Sequence, residues 1–147
     1  MDKEEVSMNQ IYTAGAITDV EWCDHFVWRD ELAATITECT NGKWHVFNPS
    51  LHMSDIEEWN MTDREGMDYD LHHLLRSDLV IVNFSIQSVS IGTAAELGAA
   101  YTHQIPIIGL NETGEIIHPW QREMCLKIFT DYNFMVKYLV DHFLNEK

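Results

Sequence analysis

Residues 77–110 read SDLVIVNFSIQSVSIGTAAELGAAYTHQIPIIGL, and the architecture of the whole chain follows from this segment. Two apolar runs within it, Leu79–Val82 and Ile105–Leu110, are short and rich in β-branched residues, as is typical of strands buried on both faces. Between them, Thr93–Tyr101 combines helix-forming residues with small residues along one side, which predicts a helix. Strand, loop, helix and strand form a βαβ unit, so the segment predicts a parallel sheet.

The same alternation of strands and helices continues on both sides of this unit. Further strands are predicted at Gln10–Gly15, Lys43–Phe47 and Leu126–Thr130, and further helices at Val20–Cys39, Thr62–Arg76, from Pro119, and at Asp131–Phe143. Crossovers between parallel strands are right-handed almost without exception. The sequence therefore predicts an α/β, doubly wound three-layer sandwich whose five-stranded parallel sheet has the strand order 2-1-3-4-5.

Two helix starts and one apolar stripe are predicted in more detail. Asp19 is predicted to cap the first helix, and Thr62 with Glu65 has the spacing of a capping box that begins the helix before the central unit. The apolar residues of that helix recur at helical spacing and are Met67, Leu71, Leu74 and Leu75. We expect these four side chains to form the buried face of the helix.

Length and composition are those of one globular domain. The chain has 147 residues, of which 46% are hydrophobic, enough for a conventional core. Residues 10–147 are predicted to form this domain after a polar, flexible segment at 1–9. The 3 cysteines include no Cys-x-x-Cys pair, which argues against a disulfide framework and a thiolate zinc site. With no signal-like or membrane-length apolar run, we expect a cytoplasmic protein.

The charge of the chain narrows the classes of partner. Asp and Glu number 24 against 9 Lys and Arg, which gives a formal net charge of −15. This charge opposes binding to nucleic acid and to anionic membranes, because both depend on neutralising phosphate groups. A small molecule in a local pocket is not opposed in the same way, since burial and backbone dipoles override the global field there.

Two loops are predicted to converge at the topological switch point of the sheet, between its first and third strands. They are Gly15–Asp19 and Ser85–Thr93, and the second leads into a helix N-terminus. Glu96 follows closely, so the helix dipole is expected to favour its ionised form and make it a carboxylate nucleophile. The alternative is that Thr93 and Glu96 form a capping box, in which the glutamate only bonds the backbone.

A second carboxylate, Asp70, is a candidate partner for Glu96. Asp63, Met67 and Asp70 fall near one face of their helix, at intervals of four and three. Two carboxylates converging on a sugar would allow nucleophile and acid or orienting roles, as in retaining glycosidases. The alternative is that this helix face is simply acidic and solvated.

Other common chemistries lack their motifs. The 8 histidines include no His-x-x-x-His pair, and no P-loop or dinucleotide-binding glycine pattern occurs, so neither a metal nor a cofactor is predicted. Ser88 and Ser90 have no recognisable His–Asp partners. We therefore interpret these two serines as hydroxyl donors in a ligand-binding loop.

Four segments together resemble the nucleoside 2-deoxyribosyltransferase family. They are Ile11–Gly15, Asp63-Arg64 with Asp70, Ser77–Asn83 and, as the most specific, Ser90–Ala100. The resemblance implies a flavodoxin-like fold and an enzyme that cleaves the N-glycosidic bond of nucleosides or nucleotides through a glutamate that forms a glycosyl-enzyme intermediate. It also implies homodimers or higher homo-oligomers with active sites near subunit interfaces.

The resemblance implies roles for particular residues by their position. Glu96 would be the nucleophile, Asp70 the aspartate that assists it, and Tyr12 a tyrosine beside the nucleophile. The substrate is expected to contact Tyr12 and residues of the surrounding loops and helix ends, namely Gly15, Ile17, Asp63, Arg64, Ser88, Ser90 and Gly92.

The subclass stays open between enzymes that pass deoxyribose to another base and hydrolases of nucleoside 5′-monophosphates. Ser90 suits the phosphate that such hydrolases bind, but Thr18-Asp19 stands where similar hydrolases often have an arginine. An arginine there would bind the phosphate through two hydrogen bonds, whereas an aspartate carries a negative charge that repels it. Sugar transfer is therefore the predicted activity, with the hydrolase and a non-catalytic nucleotide-binding sensor as alternatives.

Overall fold

The computed structural model describes residues 9–86 and 90–145, except for the side chains at positions 53 and 54. The predicted flexible segment at 1–9 lies outside the described residues apart from Asn9, which is the first residue of the first strand. In the part of the chain that is described, no helix is both long and apolar enough to span a bilayer.

Five parallel strands form one sheet, as predicted. They are β1 (Asn9–Gly15), β2 (Trp44–Phe47), β3 (Leu79–Asn83), β4 (Ile107–Leu110) and β5 (Lys127–Phe129). The strand order is β2-β1-β3-β4-β5, with Tyr12 opposite both Phe47 and Val80. Every side chain of β3 is buried, which explains the uninterrupted apolar run that marks it in the sequence.

Helices cover both faces of the sheet. They are α1 (Trp22–Cys39), α2 (Met53–Glu58), α3 (Asp63–Leu75), α4 (Ile91–Thr102), α5 (Pro119–Met124) and α6 (Tyr132–Leu139), with a 3-10 turn at Pro49–His52 and a π-turn at Val140–Leu144. Ile11 and Ile81 point to a core shared with α1 and α6, whereas Tyr12 and Val80 point to a core shared with α3 and α4. This alternation along each strand divides the core into two layers.

The prediction that Asp19 caps the first helix is wrong. The chain turns at residues 17–20, where the Val20 amide donates to the Ile17 carbonyl at 3.1 Å. This turn holds Asp19 in the left-handed region, with φ of 60°, a conformation that a short polar residue tolerates better than most. Helix α1 therefore begins only at Trp22, and Glu21 precedes it without any side-chain capping bond.

The capping box of α3 is confirmed, but its predicted apolar stripe is only partly buried. Leu74 lies fully in the core, whereas Met67 and Leu75 are 51% and 43% exposed. The stripe is narrower than predicted because α3 lies at the rim of the layer, where only one line of side chains faces α4 and the sheet. Helical spacing alone does not indicate the width of the face that is covered.

Replacing Thr62 by alanine is expected to lower the free energy of unfolding by about 1 kcal/mol. The Thr62 hydroxyl accepts from the Glu65 amide at 3.1 Å, and the Glu65 carboxylate accepts from the Thr62 amide at 3.2 Å. The substitution removes the first of these two bonds and leaves the Glu65 amide without its capping acceptor. Urea unfolding of Thr62→Ala measures the loss. Thr37→Ala, at an exposed position within α1, is the control, and an equal effect at both sites would contradict the capping role.

Candidate active site

A cavity of about 1070 Å³ opens at the carboxyl ends of β1 and β3, at the predicted switch point. Its walls come from the loop after β1, the 3-10 turn with α2, one side of α3 and the first residues of α4. Parallel strands bring these connections to one edge of the sheet, where ligands bind in folds of this type. We call this space the carboxyl-edge cavity.

Glu96 lines the carboxyl-edge cavity from α4 and is half-buried. The Tyr12 hydroxyl donates a hydrogen bond to Glu96 Oε2, which joins β1 to α4 across the floor of the cavity. The capping residue of α4 is Ser90, whose Oγ accepts from the Thr93 amide at 3.3 Å. The alternative capping box of Thr93 and Glu96 is therefore wrong, and the carboxylate is directed to the cavity and Tyr12.

The charge state of Glu96 differs from the one predicted. Burial raises its pKa to about 7; the Tyr12 hydrogen bond lowers it, Asp70 raises it and Arg29 lowers it. The helix dipole does not favour the ionised form as predicted, because α4 begins at Ile91 and Glu96 therefore lies beyond its first turn. Near neutral pH this group therefore exchanges a proton readily.

Asp70 lines the same cavity from α3 and is also half-buried. Burial raises its pKa to about 6, against the lowering influence of His52 and Arg29. The Asp70 charge also raises the pKa of Glu96, so ionisation of Asp70 opposes ionisation of Glu96. The interpretation of Asp70 as part of a solvated face does not describe its position, because its side chain faces the cavity.

An aromatic wall stands behind the two carboxyl groups. Tyr12, which was also predicted to contact the substrate, is fully buried and does not line the cavity; it stacks on Phe47, with ring centroids 5.5 Å apart. Phe47 in turn stacks on His73 at 4.2 Å and on His52 at 5.3 Å. Burial is the main cause that raises the pKa of Tyr12 well above its ordinary value, so its hydroxyl stays protonated and remains a donor to Glu96.

The other predicted substrate-binding residues divide into three groups. Five of them line the carboxyl-edge cavity and are Gly15, Ile17, Asp63, Ser90 and Gly92. Arg64 does not line it, because its side chain lies on the exposed side of α3, where Nε donates to Asp68 Oδ2 at 2.9 Å. Ser88 lies outside the described residues.

Sequence analysis missed two residues next to the carboxyl pair. Arg29 of α1 is fully buried and donates to the Gly15 carbonyl at 3.1 Å, which places a cation beneath the cavity. His52 lines the cavity from the 3-10 turn, with Nδ1 at 3.4 Å from Asp55 Oδ2. Neither belongs to a motif. Within the described residues, no group of three or more His, Cys, Asp or Glu is arranged to hold a metal ion.

Comparison with known proteins finds similarity in structure only. No protein-family model matches the sequence, and no curated protein matches it either. A 2-deoxyribosyltransferase from Bacillus psychrosaccharolyticus is 23% identical with a TM-score of 0.69, covering 88% of this chain and 91% of that one. The CMP N-glycosidase of Clostridium botulinum is 17% identical with a TM-score of 0.60, covering 89% and 97%.

A conserved protein from Enterococcus faecalis V583 is also similar, at 15% identity and a TM-score of 0.75, covering 88% of this chain and 96% of that one. The resemblance to nucleoside 2-deoxyribosyltransferases is thereby confirmed in structure. At these identities the likeness establishes the flavodoxin-like fold.

Proposed function

We propose that this chain is an enzyme of N-glycosidic bonds that transfers the sugar of a (deoxy)nucleoside to another base through a covalent glycosyl-Glu96 intermediate. The observation that carries the proposal is the pair of carboxyl groups, Glu96 and Asp70, facing one cavity with the Tyr12 hydroxyl bonded to Glu96. The shared fold with a 2-deoxyribosyltransferase and a CMP N-glycosidase supports the same class of bond.

In the proposed reaction, ionised Glu96 attacks the anomeric carbon of the sugar. A bond forms between this carbon and a Glu96 oxygen while the bond to the base nitrogen breaks, and its electron pair leaves with the base. Asp70 has one of two roles. If it is ionised, it orients Glu96 and its negative charge stabilises the oxocarbenium-like transition state; if it is protonated, it gives its proton to the departing base. A nitrogen of a second base then attacks the same carbon, the bond to the Glu96 oxygen breaks, and the proton of that nitrogen passes to Asp70 or to solvent, whichever supplied the proton to the first base.

The charges around the cavity support a substrate without a phosphate group. Five acidic side chains line it, those of Asp19, Asp55, Asp63, Asp70 and Glu96. None of the lysines and arginines in the described residues lines it. A phosphate would enter a field of like charge, which costs several kcal/mol when charges are brought together at short range.

One observation favours the alternative, a hydrolase of nucleoside 5′-monophosphates. Ser90 and Gly92 at the N-terminus of α4 line the cavity, and a helix N-terminus attracts anions. This end carries only about half a positive charge, which does not offset five carboxyl groups. We therefore rank hydrolysis of nucleoside 5′-monophosphates as the second candidate function.

Wild-type protein is expected to release base from a 2′-deoxynucleoside with a kcat/KM at least about 100-fold above that for its 5′-monophosphate at low salt. Chromatography of both reactions measures the ratio. The double substitution Asp19→Asn and Asp55→Asn should lower this ratio of kcat/KM values, because it removes two of the charges that repel the phosphate. Asparagine also tolerates the φ of 60° at position 19.

The matched control is Glu38→Gln with Asp141→Asn, which changes the net charge equally at exposed positions outside the cavity. A ratio that the control narrows as much as the cavity variant would contradict the local effect. Faster turnover of the monophosphate by wild-type protein would reverse the order of the two candidate functions.

Products separate the candidate activities directly. A panel of nucleosides and monophosphates is incubated with and without an acceptor base, and the mixtures are chromatographed. New nucleosides are expected only when the acceptor is present. Free sugar or sugar phosphate would assign hydrolysis, and ligand-dependent thermal stabilisation without any free base would assign a binding protein.

We also propose a homodimer or a higher homo-oligomer. Two large apolar side chains beside the cavity, Ile91 and Trp59, are 90% and 74% exposed in the single chain. Apolar side chains exposed together at the mouth of a site are typical of surfaces that a partner covers. Light scattering coupled to size-exclusion chromatography is expected to give at least twice the chain mass, and a monomer would contradict this part of the proposal.

A further inference from the structure

Arg29 of α1 is a fully buried cation whose hydrogen-bond partners are all uncharged. Its Nε lies 3.2 Å from Thr13 Oγ1, its Nη1 2.6 Å from the His25 carbonyl and its Nη2 3.1 Å from the Gly15 carbonyl. Longer bonds of 3.4 and 3.5 Å reach the Thr13 carbonyl. Among the described residues, no carboxylate forms an ion pair with Arg29.

Such a cation is costly to bury without a compensating negative charge. Burial lowers the pKa of Arg29 to about 10, whereas Glu96, Tyr12 and Asp70 act in the opposite direction, so Arg29 remains protonated at neutral pH. The negative groups among these neighbours are the two carboxyl groups of the candidate site. Arg29 donates to the carbonyl of Gly15, which lines the carboxyl-edge cavity together with both carboxyl groups, so the buried cation lies at the same edge of the sheet as Glu96 and Asp70.

We propose that Arg29 is a positioning residue whose buried positive charge, fixed beneath the carboxyl end of β1, favours the anionic state of both Glu96 and Asp70. Its benefit for catalysis rests on the proposed function, because that mechanism requires an ionised nucleophile. The electrostatic coupling itself does not depend on any substrate.

The position of Arg29 is fixed from several sides. The Trp28 ring centroid lies 4.7 Å from its Cζ, and its bonds to Thr13 and Gly15 hold it against the strand that carries Tyr12. A Cβ added to Gly15 would lie 3.2 Å from the Asn83 carbonyl oxygen and 3.5 Å from Arg29 Nη2. The backbone of β1 thus approaches the guanidinium closely, which keeps the charge in one place.

The charged groups around the pair come from four elements. Glu96 is influenced by Tyr12 from β1, Asp70 from α3 and Arg29 from α1. His52, in the 3-10 turn, also acts on Asp70. Within residues 9–86 and 90–145, Arg29 is the only arginine or lysine that acts on Glu96, and it acts on both carboxyl groups.

The first test compares Arg29→Gln, which removes the charge, with Arg29→Lys, which keeps it. Carbon-13 NMR of labelled glutamate side chains follows the titration of Glu96, assigned by its loss in Glu96→Gln. The midpoint is expected to rise by about one pH unit or more in Arg29→Gln and to stay near the wild-type value in Arg29→Lys. Equal midpoints in wild type and Arg29→Gln would overturn the proposal.

The second test measures stability instead of titration. If Arg29→Gln folds in the neutral background described next but not in wild type, that result already meets the expected difference. The substitution is introduced into wild type and into the double variant Glu96→Gln, Asp70→Asn, and urea unfolding is followed at pH 8 and at pH 5. We expect it to lower the folding equilibrium constant at least about tenfold more in wild type than in the neutral background at pH 8. At pH 5, where both carboxyl groups are protonated, this difference should disappear.

A purely structural role would give the same loss in both backgrounds at both pH values, and that result would overturn the proposal. Neither test needs turnover. A protein that releases no base from any nucleoside would refute the proposed function, yet the NMR titration and the unfolding cycle would still decide the role of Arg29.

Discussion

Glu96→Gln is expected to lower the rate of base release by at least about 10⁴-fold while the protein stays folded. Glutamine keeps the size of the side chain but has no carboxylate to attack the anomeric carbon. Chromatographic measurement of free base gives the rate. Mass spectrometry of the peptide containing residue 96, after quenching with substrate present, should detect the added sugar in wild type and not in the variant.

Tyr12→Phe is the matched control for this experiment. It removes the hydrogen bond to Glu96 Oε2 but keeps the carboxylate and the stacking on Phe47, so a loss of only about 10- to 100-fold is expected. Turnover by Glu96→Gln at the wild-type rate would exclude the covalent mechanism.

Glu96→Gln is also expected to change how the stability of the protein depends on pH. The pKa of Glu96 is raised to about 7 by burial, so the folded protein holds this proton more tightly than the unfolded chain does. The contribution of this group to stability is therefore lost as the pH rises from the ordinary value near 4.5 to about 7. Thermal unfolding should show a smaller loss of stability over this range in Glu96→Gln, and identical pH profiles would contradict the raised pKa.

Asp70→Asn is expected to lower kcat/KM about 100-fold or more and to move the low-pH limb of its pH profile to lower pH. The rate falls because a negative charge beside the oxocarbenium-like transition state is removed. The limb moves because the Asp70 charge raises the pKa of Glu96, so Glu96 ionises more easily without it. Rates measured from pH 5 to 9 give both effects.

Asp68→Asn is the control, since Asp68 lies on the same helix but is exposed and paired with Arg64. It should leave both the rate and the limb close to wild type. A fall of the wild-type rate above pH 7 that is absent from Asp70→Asn would assign the proton donor role to Asp70. A limb that moves to higher pH in Asp70→Asn would contradict the coupling of the two groups.

The sequence was sufficient to predict the sheet and its order because each strand is a short apolar run between clear breaks. Boundaries were less certain for local reasons. The fourth strand begins at Ile107 rather than Ile105, and Pro106 between them has no amide hydrogen for the ladder. Asp19 failed as a cap because the turn before α1 depends on the path of the loop after β1, which no local pattern encodes.

Glu96 and Asp70 were proposed as a pair through the family resemblance of Ser90–Ala100 and of Asp63-Arg64 with Asp70, whereas spacing alone left each with a structural alternative. Arg29 and His52 were not predictable, because their roles arise only when α1 and the 3-10 turn meet the end of β1. The protonation of Glu96 was not predictable either. Its place near a helix start predicted that it ionises easily, but its burial raises its pKa. Such effects depend on three-dimensional surroundings that residue spacing does not describe.

The division of the core into two layers has a practical consequence for protein engineering. The layer shared by β1, α1 and α6 is built mainly from aliphatic and aromatic side chains such as Ile36 and Leu139, on the side of the sheet opposite the carboxyl pair. Variants with higher thermal stability could therefore be sought by repacking that layer without changing the shape of the carboxyl-edge cavity. Arg29 should be left untouched in such libraries, since it extends from α1 on that side and is the residue proposed above to favour the anionic state of the carboxyl pair.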